Sequence, residues 1–335
     1  MYGWKWYMKD MPTPSGLTAF SLFASMGGSS LGYKLAEFDV LGGVEIDKRF
    51  ARLYQHNLKP KFFWQCDIRD FNRLDNLPPQ LYQLDVLDGS PPCSSFSIVG
   101  KREKFWGQKK KFTEGQWEQT LDDLVFEYCE TVKKLCPKIV VMENVPGLIF
   151  SKAKPYAVEV IKRLEAAGYE MQLFKLNAAL MGVPQVRERL FFVGNRMGYP
   201  KLKLEFNEPL IPFGEVRSEK GRPVNKDSST AYLLEHATDK DYGLSSVRKR
   251  LGLKRSRFGC AINSDNKVSY TLKVSGDNYR LCDKTGLSNQ DTVNIQSFPQ
   301  DYDFLGYSPK SFLGYTVPPV MMYKLAREIR RQWLN

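Results

Sequence analysis

The chain has 335 residues, of which 42% are hydrophobic and 26% are charged, and its formal net charge is +12 at pH 7. No apolar run approaches the roughly 20 residues that span a bilayer, and residues 1–11 lack the apolar core of an export signal, so we expect a cytoplasmic protein without a membrane segment. A basic excess of this size favours a polyanionic partner such as a nucleic acid.

Cysteine and histidine usage limits the chemistry that the chain can carry out. There are six cysteines and two histidines. The cysteines form no Cys-x-x-Cys pair and neither histidine belongs to a metal-ligand motif, so we expect no metal site. Catalysis would then depend on cysteine, glutamate, arginine or a cofactor rather than on a histidine base.

Apolar segments alternate with amphipathic ones through the first two thirds of the chain. Their patterns predict strands over residues 17–23, 40–46, 62–66, 84–87, 139–142 and 189–193. Helical periodicity predicts helices over residues 50–57, 121–135 and 156–167. This alternation predicts an α/β fold in which helices cover both faces of a parallel sheet.

The pattern changes after about residue 195. Residues 196–280 are rich in charged residues, glycine, proline and serine and have weak periodicity, which indicates a second, smaller domain. Residues 317–334 return to a helical pattern.

The first three predicted strands end in residues that suit a nucleotide-like cofactor. The first runs into a turn that contains Met26, Gly27 and Gly28, where glycine allows a ligand to approach the backbone. The second ends at Glu45, an acid placed to hold ribose hydroxyls, and the third at Asp67-Ile68, where the acid could accept a hydrogen bond from an adenine amino group. These features fit a nicotinamide and an adenosyl cofactor equally well.

The fourth predicted strand leads into a segment that presents a cysteine. Cys93 lies between two prolines and two serines in Pro91-Pro92-Cys93-Ser94-Ser95, and a lysine-rich stretch follows. Nearby cations lower the pKa of a thiol and turn it into a nucleophile. The segment therefore predicts a catalytic cysteine.

Two later segments supply an acid and two guanidinium groups. Glu143 follows the apolar strand that begins at Ile139, where it could donate a proton to a ring nitrogen. Arg187 and Arg189 stand on either side of Glu188 before the last predicted strand, and strand alternation sends both to the same side. Two fixed guanidinium groups suit a carbonyl oxygen or a phosphate.

In this order and spacing, these segments resemble the DNA (cytosine-5)-methyltransferase family. The resemblance rests on Pro92-Cys93-x-x-Phe96-Ser97, Glu143-Asn144-Val145 and Gln185-x-Arg187-x-Arg189. It runs from about residue 17 to residue 195 and resumes near the C-terminus. It implies a Rossmann-like, S-adenosylmethionine-dependent catalytic domain of residues 1–195 completed by residues 312–335, and a target-recognition domain of residues 196–311.

The family transfers a methyl group from S-adenosylmethionine to carbon 5 of a cytosine that is flipped out of duplex DNA. By similarity, Cys93 attacks carbon 6 of the base, and Glu143 engages N3 and the exocyclic amine. Arg189 contacts the base carbonyl, and Arg187 supports the loop. The residues expected to contact the cofactor are Phe23, Met26, Gly27, Gly28, Glu45, Asp67, Ile68, Pro92 and Leu121.

Two segments are expected to contact DNA, chiefly through its phosphates. The first resembles the mobile catalytic loop of the family and contains Ser97, Lys101, Arg102 and Lys104. The second is a run of cations in the target-recognition region and contains Arg248, Lys249, Arg250, Lys254, Arg255 and Arg257.

Two positions depart from the family pattern. Tyr315 follows Gly314 where the family usually has asparagine, and Ser25-Met26 follows Ala24 where the family usually has glycine. Neither position belongs to the predicted catalytic set, so we expect an active enzyme that acts as a monomer, as part of a restriction–modification system.

Two alternatives stay open at this point. A tRNA cytosine-5 methyltransferase of the same fold typically carries threonine where this chain has Ser97. A catalytically silent DNA-binding relative has no need to keep Cys93, Glu143, Arg187 and Arg189. A nicotinamide oxidoreductase is a more distant third, because its chemistry requires neither the Pro-Pro-Cys segment nor a basic cleft.

Overall fold

The computed structural model describes residues 3–92, 123–150, 153–254, 260–273 and 277–335. Its contacts divide the chain into two compact units. The sheet unit comprises Pro12–Leu176, Glu188–Leu204 and Leu325–Asn335, and the second unit comprises Met1–Met11, Asn177–Arg187 and Glu205–Lys324. The division into a catalytic and a target-recognition domain assigns functions to segments, and it stays a prediction.

The sheet unit is built on a seven-stranded sheet. Numbered along the chain, the first eight strands are β1 Thr18–Leu22, β2 Asp39–Val44, β3 Phe62–Trp64, β4 Val86–Gly89, β5 Ile139–Asn144, β6 Glu170–Asn177, β7 Gln185–Val186 and β8 Glu188–Asn195. The order in the sheet is β3-β2-β1-β4-β5-β8-β6. The predicted α/β class is confirmed, with one correction: β8 runs antiparallel to β5, whereas β1 to β5 are parallel.

Helices alternate with these strands in the order that the sequence pattern predicts. They are α1 Gly28–Leu35, α2 Lys48–Leu58, α3 Ile68–Arg73, α4 Leu124–Leu135 and α5 Lys154–Ala166. Asp47 and Asp67 begin α2 and α3 by accepting hydrogen bonds from the first-turn amides of Arg49 and Arg69. The short helix α3 and the half-exposed edge strand β6 were not among the predicted elements.

Apolar side chains from the central strands and from α4 and α5 form the core of the sheet unit. Phe20, Leu87, Val140 and Phe192 are completely buried in it. Each such side chain contributes roughly 1.5–3 kcal/mol of burial free energy. This packing makes the sheet rigid, and the ends of its strands hold the polar residues of the candidate site.

The second unit is made of short elements. They are α6 Phe213–Val216, α7 Ser229–Glu235, α8 Leu244–Arg250, β9 Ile262–Asn263, β10 Ser269–Tyr270, β11 Tyr279–Arg280, α9 Asn289–Ile295 and α10 Lys310–Leu313. The strand β10 pairs with β7, and β11 pairs with β9. Two separate apolar clusters stabilise these elements, one around Leu234 and Val247 and one around Phe213 and Ile295.

The last helix, α11 Pro319–Ile329, confirms the helical pattern predicted near the C-terminus and continues as a π-helical turn over Arg330–Leu334. None of the helices in the described residues is long and apolar enough to cross a membrane.

Candidate active site

The turn after β1 has an unusual backbone. Phe23, Ser25 and Gly27 have φ angles of +53°, +49° and +93°, so the chain is left-handed at every second residue before α1 begins. Glycine suits position 27 best, because a φ of +93° is strained for any other residue, and a Cβ there would also lie 2.9 Å from the end of the Leu58 side chain on α2. Ser25 adopts the same kind of backbone without being glycine, at the position where the sequence departs from the family pattern.

Glu45 stabilises this turn from the end of β2. Its carboxylate accepts hydrogen bonds from the amides of Ser25, at 2.7 Å, and Asp47, at 2.8 Å. Burial raises the pKa of Glu45 to about 7, although the amide hydrogen bonds oppose that rise. The acid that the sequence places at a strand end is thus built into the turn itself.

Asp67 lies at the neighbouring strand end. It follows the end of β3 by three residues. The end of β3 is joined to the end of β2 by a hydrogen bond from the Glu45 amide to the Trp64 carbonyl. The Asp67 carboxylate accepts a hydrogen bond from the Arg69 amide at 2.8 Å and pairs with the Arg69 guanidinium at 3.3 Å. Ile68 is buried beside it. The structure therefore brings Glu45 and Asp67 to one edge of the sheet.

Glu143 and Arg189 form an ion pair at the ends of β5 and β8. The Nε atom of Arg189 lies 2.8 Å from Oε1 of Glu143, and the two side chains are only 14% and 11% exposed. Arg189 Nη1 also donates to the Glu188 carbonyl at 2.7 Å. A largely buried pair of this kind presents a carboxylate and a guanidinium side by side, which suits a planar polar ligand with both acceptor and donor groups.

Asn144 connects this ion pair to the segment that leads to the predicted nucleophile. It follows Glu143 at the end of β5, it is buried, and its Nδ2 donates to the Pro91 carbonyl at 3.3 Å. Its Oδ1 accepts from the Val145 amide at 2.9 Å. The half-buried Pro92 is the last residue of this segment that the structure describes.

Eight of the predicted site residues lie outside the described residues, and their roles stay predictions. They are Cys93, Ser97, Lys101, Arg102, Lys104, Leu121, Arg255 and Arg257.

Arg187 has a different environment from Arg189. Its guanidinium is buried in the second unit and donates to the carbonyls of Gly314 at 3.0 Å, Thr316 at 3.2 Å and Leu272 at 3.4 Å. These contacts hold the main chain of residues 314–316 in place, which agrees with a supporting role and not with direct contact to a reacting base. Tyr315, which lies within this segment, is 59% exposed.

The described members of the predicted run of cations, three on α8 and Lys254 after it, differ in their surroundings. Arg250 is paired with Asp241 at 2.7 Å, and Arg248 donates to the Lys254 carbonyl at 3.4 Å. Burial raises the pKa of Asp241, but the Arg250 hydrogen bond and its other hydrogen bonds outweigh burial, so the pKa is lowered. Lys249 and Lys254 are exposed. Of the described members of the run, these two lysines are the best placed to meet a phosphate.

One buried acid at the strand ends was not predicted. Asp88, the third residue of β4, has 1% of its surface exposed. An acid inside an otherwise apolar strand, in Val86-Leu87-Asp88-Gly89, is the signal by which the sequence could have revealed it. In the described part of the chain, no group of three or more His, Cys, Asp or Glu residues could hold a metal ion.

Comparison with known proteins gives consistent results. The family model for C-5 cytosine-specific DNA methylases matches residues 17–331. The type II methyltransferase M.FnuDI of Fusobacterium nucleatum is 33% identical, over 92% of this chain and 93% of its own length. The type II methyltransferase M1.HphI of Haemophilus parahaemolyticus is 27% identical, over 95% of this chain and 88% of its own length.

Solved structures have the same fold. A candidate DNA modification methyltransferase encoded within an E. coli prophage superposes with a TM-score of 0.66 at 19% identity, covering 96% of this chain and all of that one. The Entamoeba histolytica methyltransferase EhMeth superposes with a TM-score of 0.62 at 12% identity, over 96% and 100%. The predicted family, fold class, cofactor and DNA substrate are confirmed. The chain belongs to the C-5 cytosine-specific DNA methylase family, whose members use S-adenosylmethionine to methylate carbon 5 of cytosine in DNA.

Proposed function

We propose that Cys93, Glu143 and Arg189 carry out the methylation and that Arg187 holds the adjoining main chain. The observation that carries the proposal is the Glu143–Arg189 ion pair at 2.8 Å. The hydrogen bond from Asn144, the next residue of β5, to Pro91 supports it, because it ties the acid to the segment that leads to Cys93.

The residues at the strand ends fit the cofactor that the family uses. The carboxylates of Glu45 and Asp67 would accept hydrogen bonds from ribose hydroxyls and from an adenine amino group. Ser25 Oγ is buried without a hydrogen-bond partner in the described residues, in the turn that would face the cofactor. We propose that Phe23, Met26, Gly27, Gly28, Glu45, Asp67, Ile68, Pro92 and Leu121 hold it. When bound, the cofactor supplies an electrophilic methyl group on a sulfonium.

Carbon 5 of cytosine is a poor nucleophile while the ring is aromatic. The Cys93 thiolate forms a bond to carbon 6, and the electron pair of the 5,6 double bond becomes available at carbon 5 to take the methyl group. A base then removes the hydrogen from carbon 5, the double bond re-forms, and the thiolate leaves. Glu143 holds the proton at N3 while charge develops on the ring, and Arg189 donates to the base carbonyl.

DNA binding is the second part of the proposal. A base stacked in the duplex cannot reach Cys93, so it is flipped out of the helix. Lys249 and Lys254 of the second unit contact phosphates, together with the predicted Ser97, Lys101, Arg102, Lys104, Arg248, Arg255 and Arg257. Arg250, also predicted to contact DNA, is engaged by Asp241 and contributes less. We further propose that the protein belongs to a restriction–modification system, because relatives such as M.FnuDI and M1.HphI are type II methyltransferases. We also propose that it acts as a cytoplasmic monomer.

The decisive experiment measures methyl transfer from labelled S-adenosylmethionine to duplex DNA, with tRNA in parallel and the nucleosides identified by mass spectrometry. The wild-type protein should form 5-methylcytosine in DNA alone. Cys93→Ala should abolish transfer and keep cofactor binding, and Glu143→Gln should lower the rate by about 10²–10⁴-fold, the usual contribution of a positioned acid or base.

Specific outcomes contradict the proposal. Turnover by Cys93→Ala would exclude the covalent mechanism, and a near-normal rate in Glu143→Gln would remove Glu143 from proton handling. Label in tRNA alone would reassign the substrate.

A further inference from the structure

Asp88 is the most deeply buried acid at the cofactor end of the sheet. It lies on β4, next to Ser21 of β1 and Val141 of β5 in the strand register. Side chains of paired residues in parallel strands point to the same face, and Glu143 lies two residues beyond Val141, so Asp88 and Glu143 share one face of the sheet. The proposed catalytic acid thus has a second carboxyl group on the neighbouring strand.

The partners of Asp88 are hydroxyl groups. Its Oδ2 accepts a hydrogen bond from Ser21 Oγ at 3.0 Å, Ser21 Oγ accepts one from Ser30 Oγ at 3.2 Å, and Ser30 Oγ lies 2.8 Å from the Tyr54 hydroxyl. Each hydroxyl can both donate and accept a hydrogen bond, so Ser21 Oγ can donate to an ionised Asp88 or accept a hydrogen bond from a protonated one.

The charges around Asp88 disfavour its ionised form. In the described residues no lysine or arginine forms an ion pair with it, and its Oδ1 has no hydrogen-bond partner of normal geometry. The titratable groups that interact with it are Glu143 of β5, Tyr33 of α1, Tyr54 of α2 and Tyr128 of α4. None of these groups is cationic. A buried carboxylate without a cationic partner of its own is costly, and the Glu143 carboxylate adds repulsion that its ion pair with Arg189 at 2.8 Å only partly offsets.

We propose that Asp88 is a positioning residue that carries a proton in the active enzyme and so keeps a second negative charge away from the face that holds Glu143. The inference rests on the proposed role of Glu143. Ionisation of Asp88 releases its proton to solvent and leaves an anion beside the site where charge develops on the base. That anion disfavours the addition of Cys93 and slows methyl transfer.

The pKa of Asp88 agrees with this geometry and sets the pH range of the effect. Burial raises the pKa to about 7, the Glu143 charge adds to the rise, and the hydrogen bond from Ser21 and the neighbouring Ser29 hydroxyl oppose it. Asp88 therefore changes from neutral to charged close to pH 7, and the inhibitory charge is present above that pH.

The test compares single-turnover methyl transfer by wild-type protein and Asp88→Asn between about pH 6 and pH 9. Asparagine keeps the shape and cannot ionise. The ratio of the Asp88→Asn rate to the wild-type rate should rise above about pH 7, by up to about tenfold for each pH unit. The ratio cancels every pH effect that does not depend on Asp88. Asp75→Asn, a change at an exposed acid of the same unit, should give a flat ratio.

Two further measurements keep the inference testable if Asp88→Asn folds poorly. Ser21→Ala removes the hydrogen bond that favours the charged form, so the decline of the rate should move to higher pH. Infrared spectra of wild-type protein near pH 6 should contain the C=O stretching band of a protonated carboxylic acid, and the band should disappear as the pH rises through about 7. These spectra are best recorded in a Glu45→Gln variant, because the pKa of Glu45 is also about 7 and its carboxyl band would overlap that of Asp88.

A flat rate ratio, or a spectrum without a protonated acid assigned to Asp88, would overturn the inference. Glu143→Gln in the same assay separates the two proposals: a normal rate there would reject the role of Glu143, and the infrared band would still report on Asp88.

Discussion

Replacing Arg189 with methionine should destabilise the protein by leaving Glu143 as a buried charge without its partner. The two groups are joined at 2.8 Å, and the side chains are 14% and 11% exposed. Methionine keeps most of the apolar stem of arginine, so the change removes the charge more than the packing.

The magnitude follows from the burial of the pair. Removing one partner of a fully buried ion pair costs about 3–5 kcal/mol. Both side chains keep about a tenth of their surface in water, so we expect a loss of about 2–3 kcal/mol in the free energy of unfolding. In a protein that already carries Glu143→Gln, no carboxylate is left unpaired. There Arg189→Met should lower the free energy of unfolding by at least about 1 kcal/mol less than it does in the wild type.

Urea unfolding of the wild type, both single variants and the double variant measures this difference as a double-mutant cycle. Lys133→Met is the matched control, because Lys133 and Glu130 also form a pair at 2.9 Å but are each 46% exposed. That control should change the free energy of unfolding by less than about 1 kcal/mol. An equal cost of Arg189→Met with and without Glu143 would refute the reasoning.

Three further predictions follow from single contacts. Gly27→Ala places a Cβ at a φ of +93° and 2.9 Å from a leucine side chain, so calorimetry should show weaker S-adenosylmethionine binding by about 1–2 kcal/mol. Burial raises the pKa of Glu45 from 4.5 to about 7, so between these pH values the folded protein holds a proton that the unfolded chain has lost. The free energy of unfolding should therefore fall by about 3 kcal/mol as the pH rises from 4.5 to about 7. Glu45→Gln should flatten that part of the profile of unfolding free energy against pH. Lys249→Ala and Lys254→Ala should each lower the salt slope of DNA binding by about 1, whereas Arg250→Ala should chiefly lower thermal stability because its guanidinium is engaged in an ion pair. Equal salt slopes for all three variants would contradict the distinction between exposed and paired cations.

The sequence alone predicted six of the seven strands of the sheet and most of the acids at their carboxyl ends. Strands in a parallel sheet carry near-continuous apolar runs, and their carboxyl ends meet at one edge, so Glu45, Asp67 and Glu143 could each be placed there from their position after a run. The direction of β8 could not be read in the same way, because the apolar pattern of a buried strand is the same in both directions.

Tertiary structure decided which of the polar residues act on one another. Arg187 and Arg189 are two residues apart and chemically identical, yet one donates to main-chain carbonyls and the other pairs with Glu143. In the same way, Asp88 differs from Glu143 through the absence of a described cationic partner, although both follow apolar strand residues.

The physical reason is that the two levels of structure have different ranges. Periodicity and strand ends depend on neighbours along the chain, so the amino-acid sequence determined the fold class, the edge of the sheet at which the strand-end acids lie and the residue types of the proposed site. Protonation and pairing depend on the charges and hydroxyls within a few ångströms, and those come from distant segments. Only the folded chain therefore decided that Glu143 is paired with Arg189 and that Asp88 lies among hydroxyl groups.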